Sequence, residues 1–141
     1  MTRKLAWFAA AGLLLALGCS KGGPERYDVR GTVTFKGSLV PAGQVIFDPD
    51  QSKGNDGAQG YAEIHDGRYD TRKSAKGAPP GPVIVRIEGF DGQATVDRPY
   101  GNPLFVDYRV RMEIPRENIQ KDFDVPASAA ESVRKLSPTS P

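Results

Sequence analysis

Cysteine and histidine are almost absent from this chain of 141 residues: there is one of each, Cys19 and His65. A single cysteine excludes an internal disulfide, so no covalent staple supports the fold. A single histidine excludes a metal centre built from several histidines of one chain. Long apolar runs are also missing. The longest, residues 5–17, has 13 residues, whereas a spanning helix needs roughly 20. A surplus of one charge is missing as well. The net charge of +2 comes from Arg3 and Lys4, and from residue 19 onward 17 basic residues face 17 acidic ones. That balance gives no electrostatic case for a nucleic-acid partner. No segment after residue 19 holds a helical period of apolar residues.

What is present begins at the N-terminus. Arg3 and Lys4 precede the apolar run, which ends Ala16-Leu17-Gly18 directly before Cys19. A charged start, a short apolar stretch and a small residue at the break describe a secretory signal. With cysteine immediately after the break, the arrangement resembles the lipobox of bacterial lipoproteins. Ala16 and Leu17 depart from the usual pattern, while Gly18 and Cys19 fit it. The resemblance implies that residues 1–18 are a signal peptide and that Cys19 is lipidated and becomes the new N-terminus. The membrane is then a partner through that lipid. Ser20 in place of Asp implies an outer-membrane or cell-surface location rather than the inner membrane.

After a polar tether at 19–26, the period becomes two. Tyr27, Val29, Gly31, Val33 and Phe35 alternate with polar residues, and so do Val45 and Phe47, then Ala58, Gly60, Ala62 and Ile64. Val83, Val85 and Ile87 follow the same rule, as do Tyr108, Val110, Met112 and Ile114; Phe123 and Val125 form the last such pair. Each is a strand with one buried and one wet face. Asp66-Gly67 between two such segments predicts a two-residue hairpin turn, which needs positive φ at both positions. Gly31 interrupts a branched strand, which predicts a bulge or the close approach of another backbone. About seven short strands punctuated by Gly and Pro predict an all-β antiparallel sandwich over 27–126. Residues 127–141, poor in apolar side chains, are expected to be disordered.

Several of these pieces, in order, carry a resemblance: Val29-Arg30-Gly31-Thr32-Val33, Pro41-Ala42-Gly43-Gln44-Val45-Ile46-Phe47, Asp66-Gly67-Arg68-Tyr69 and Pro79-Pro80-Gly81-Pro82-Val83. The set resembles the carboxypeptidase regulatory-like domains, with their transthyretin-like (prealbumin-like) sandwich, in the small lipoproteins of planctomycete bacteria. The resemblance implies a fold and no particular activity. Two enzyme classes on related sandwiches do not fit. The hydroxyisourate hydrolases use several histidines, and the intradiol dioxygenases hold iron with two.

Candidate chemistry is sparse. Asp48, Asp50, Asn55 and Asp56 share a loop that could supply carboxylates to calcium. The EF-hand pattern fails there, with Lys53 at its sixth position and Gln59 at its twelfth. His65 lies between Glu63 and Asp66, a weak metal set at best. Residues 89–107 read as a long loop rich in bulky side chains, in which Arg98, Tyr100 and Phe105 could stack on a sugar ring or anchor a peptide. No nucleophile–base pairing is visible. The expectation is a lipid-anchored protein of the cell envelope with a non-catalytic domain, structural or binding, without a cofactor apart from the calcium alternative. Its partners would be an envelope protein or a glycan. The alternative is a carbohydrate- or peptide-binding accessory domain that uses the 89–107 loop.

Overall fold

A computed structural model describes residues 22–136. The expected signal 1–18 and Cys19 lie outside the described residues, as do 137–141. The strands are β1 (Val29–Phe35), β2 (Ser38–Leu39), β3 (Ala42–Pro49), β4 (Gly60–His65), β5 (Arg68–Asp70), β6 (Gly81–Phe90), β7 (Pro103–Ile114), β8 (Ile119–Gln120) and β9 (Phe123–Val125). Three short 3-10 turns lie at Gln51–Lys53, Thr71–Ser74 and Ala127–Ala130, and one short helix, α1, at Glu131–Leu136.

The sheet runs β2-β1-β5-β4-β3-β6-β7, and every pairing along that path is antiparallel. The remaining edge of β1 is different. There β8 and β9 run parallel to it, through Val29↔Ile119 and Val33↔Phe123. The expected all-antiparallel arrangement is therefore corrected at this edge. Alternation within one strand gives its buried face but not the direction of a partner some 90 residues away.

The sheet curls into a half-barrel, consistent with the sandwich class. In a flat sheet β1 and β7, five strand steps apart, would be separated by about 24 Å. Instead the rings of Phe35 and Phe105 stand 5.1 Å apart. The inward positions of the alternating strands fill the space between them: Val29 and Val33 from β1, Val45 and Phe47 from β3, Val85 and Ile87 from β6.

Two turn expectations hold. Asp66 and Gly67 have φ of 49° and 76°, and their hairpin joins β4 to β5. At Gly31 another backbone does approach: the carbonyl of Lys121 sits where a Cβ would stand. The Tyr69 hydroxyl donates to that carbonyl at 2.6 Å, so the inward-pointing oxygen is satisfied. Burial pushes the Tyr69 hydroxyl pKa well up, with the Asp122 carboxylate adding to it.

Residues 127–136 differ from the expected disordered tail. The turn Ala127–Ala130 and α1 pack on β7, the last strand of the path. The Val106 N–H, which β6 does not pair, donates to Ser132 Oγ at 3.0 Å. Ala129 and Ala130 pack partly buried against the core. An edge strand needs cover for its free N–H groups, and small alanines let this segment come close enough to give it.

Candidate functional site

The loop expected at 89–107 is shorter than the sequence suggested. β6 continues to Phe90 and β7 begins at Pro103. Phe105 is therefore not a loop residue. It is fully buried against Phe35, and its place in the proposed ligand set is withdrawn. The cause is a bulge. Ile87 pairs Tyr108 while Gly89 pairs Phe105, so β7 carries one extra residue there, and Asp107 takes φ of +53°. The extra residue resets the inside–outside parity. Phe105 and Tyr108 both point inward although they are three apart, which conceals the start of the strand from a period-two reading.

Tyr100 does remain at the surface, 38% exposed, with its ring 5.6 Å from that of Phe90. Arg98 is engaged within the loop, donating to the Asn102 side-chain oxygen. Asp91 organises the turn by accepting from the N–H groups of Gln93 and Asn102 and from the Asn102 amide, each at 2.9 Å. The Asn102 amide and those N–H groups hold the Asp91 carboxyl below its usual range.

The carboxylates of the acidic loop are engaged within the protein. Asp48 pairs with Arg86 and accepts from Gln59 at 2.5 Å. Burial alone would raise its pKa, but the donors from Arg86 and Gln59 outweigh that, and the net shift is downward. Asp50 is buried, accepts from Ser52 Oγ at 2.5 Å and lies 3.7 Å from Arg111. Asn55 is a structural pin, donating to the carbonyls of Pro80 and Pro82 and accepting from Gly57 N–H. Asp56 stays exposed. Across the described residues no three His, Cys, Asp or Glu side chains gather to hold a metal. His65 reaches only Glu63, at 3.0 Å.

A cleft of about 370 Å³ lies elsewhere, on the solvent face of β1, β5 and β4. Cross-strand register builds it. Arg30 lies opposite Asp70, and Thr32 opposite Arg68, so outward side chains from two strands meet on one face. The turn at Thr71–Ser74 adds Arg72 and Lys73. Asp70 opens that turn by accepting from the Arg72 N–H at 3.0 Å. It also takes two donors of the Arg72 guanidinium, Nε and Nη2, and these donors hold the Asp70 carboxyl below its usual range. Buried Thr71 fastens the turn to β1 by accepting from the Val29 N–H at 3.0 Å. A second cleft of about 210 Å³ shares Arg30, Arg72 and Gln120 with the first and extends to Asp28 and Asn118. This site was not legible in the sequence. Its one signal was arginine at outward positions of two strands, and nothing in the sequence said that those strands are neighbours.

No protein-family model, curated protein or solved structure matches this chain. What fold and site define is a class: a compact all-β domain of sandwich type whose polar side chains form ion pairs and a basic cleft.

Proposed function

We propose that the protein is a lipid-anchored component of the cell envelope whose β-domain acts as a non-catalytic structural or binding module, of the carboxypeptidase regulatory-like, transthyretin-like kind. The observation that carries this reading is the order Arg3-Lys4, a 13-residue apolar run, Gly18-Cys19, a short polar tether and then one compact sheet domain. The tether and Cys19 would hold that domain at a membrane surface. Support for the non-catalytic half is the use of the polar groups. Asp48, Asp50, Asp70 and Asp107 each neutralise an arginine.

Metabolic labelling with palmitate tests the anchor. Wild-type chain should take up label and remain with membranes, and Cys19→Ser should do neither. A freely secreted, unlabelled wild-type product would defeat the proposal.

A second reading, a glycan- or peptide-binding accessory domain, is favoured by Tyr100, whose ring is exposed and backed by Phe90. Its test is a glycan and peptidoglycan array, with any hit expected to weaken in Tyr100→Ala.

A further inference from the structure

Between residues 26 and 116 nearly every arginine has a partner. Arg72 pairs with Asp70, Arg86 with Asp48, Arg109 with Asp107, Arg111 with Asp50 and Arg116 with Glu25. Arg26 donates to the carbonyls of Gln59 and Gly77, and Arg98 to Asn102. Two arginines break the pattern. Among the described residues, neither the Arg30 nor the Arg68 guanidinium donates a side-chain hydrogen bond or forms an ion pair with a carboxylate, although Arg30, opposite Asp70 on the next strand, is near enough to help hold that carboxyl low. Both line the same cleft of about 370 Å³.

The charges in that cleft do not cancel. Arg30, Arg68, Arg72 and Lys73 face Asp70 and Glu63, with Asp28 of the adjoining cleft also near Arg72, so four cations meet three carboxylates. Asp70 is already held by Arg72, and Glu63 is already contacted by His65. Arg30 and Arg68 occupy diagonal positions on adjacent antiparallel strands, within reach of one another's long side chains. The fold keeps this local positive surplus although the chain beyond residue 18 is neutral overall. Two forked guanidiniums, a third fixed by its carboxylate with Nη1 unbonded, and an ammonium are a donor set matched to a tetrahedral oxyanion. The adjoining cleft adds the side-chain amides of Asn118 and Gln120, neutral donors suited to the uncharged remainder of an ester.

We propose that this cleft binds a phosphate group, with Arg30 and Arg68 as its principal ligands. Two sources fit that chemistry. One is a soluble phosphorylated molecule. The other is the headgroup of an anionic lipid, because the adjoining cleft reaches Asp28, the residue before β1 on the N-terminal side. Only the headgroup source rests on the anchor at Cys19.

The test is arginine modification of the full chain by phenylglyoxal, quantified peptide by peptide by mass spectrometry. In non-ionic detergent, millimolar inorganic phosphate should slow modification of Arg30 and Arg68 at least about threefold relative to chloride at equal ionic strength. Arg109, exposed but paired, should be unaffected. Equal slowing of all three, or of none, overturns the proposal. As a second measurement, phosphate should raise the melting temperature of the wild type but not of Arg30→Gln/Arg68→Gln; an equal rise in both also overturns it. In bilayers, protection by phosphatidylglycerol but not by phosphatidylcholine assigns the headgroup source. Protection by phosphate in detergent without protection in bilayers assigns the soluble one. Palmitate labelling reads the anchor separately, so loss of phosphate protection with labelling intact removes the cleft inference alone.

Discussion

The two halves of the solvent face treat arginine in opposite ways. Across β3, β6 and β7, Arg86, Arg109 and Arg111 each have an aspartate partner. Across β1, β5 and β4, Arg30 and Arg68 make no ion-pair contact, Arg30 sharing Asp70 with Arg72 only at longer range, and a cleft opens over them. In the first half each of these arginine charges is matched by a carboxylate. The second half leaves its charge available. Stability and binding are therefore expected to separate spatially, and substitutions on either side should show it.

The largest effect should come from the residue that ties the halves together. Phe105 of β7 stacks on Phe35 of β1 across the core, so Phe105→Ala should cost about 3–5 kcal/mol in chemical denaturation. A loss under about 1 kcal/mol would mean that the sheet does not close in this way. Gly31→Ala comes next. Its methyl group would meet the Lys121 carbonyl, displacing the β8–β9 segment beneath the cleft half. A loss above about 2 kcal/mol is expected, together with weaker amide-exchange protection at Lys121.

Asp48→Asn probes the paired half and should cost about 1–2 kcal/mol, because Arg86 keeps its charge in a half-buried position. The pH dependence follows from the sign of the shift. Asp48 has a folded pKa below its unfolded value. Its contribution is therefore present above pH ~4 and is lost as pH falls through the lower folded pKa. The stability gap between wild type and Asp48→Asn should shrink in acid, and a gap independent of pH would show that the pair is not ionic. The smallest effect belongs to the cleft half. Arg30→Gln/Arg68→Gln should change stability by no more than about 0.5 kcal/mol, or raise it slightly by removing a repulsion.

The same contrast separates what the sequence made legible from what it concealed. Local rules were readable. Asp66-Gly67 required positive φ, Gly31 called for a bulge or an approaching backbone, and Val83, Val85 and Ile87 required one inward face; the structure has the positive φ, the approaching backbone and the inward face. Relations between distant segments were not readable. Asp48 meets Arg86 38 residues later, and Arg30 shares a cleft with Arg68 only because β1 pairs with β5. The bulge at Asp107 concealed five residues of β7 and turned a core phenylalanine into an apparent loop ligand. The calcium alternative met the same limit. A carboxylate count within one loop carries no information about which arginines reach it from neighbouring strands.

The parallel pairing of β1 with β8 and β9 has a mechanical consequence. β1 is held along one edge by β5 and β2 and along the other by the C-terminal strands. A pull on the chain from its N-terminal side acts along the axis of β1 and perpendicular to its ladder bonds. Those bonds are then loaded together in shear, not opened one after another from an end. The strand nearest the tether is thus the one best placed to carry tension into the domain.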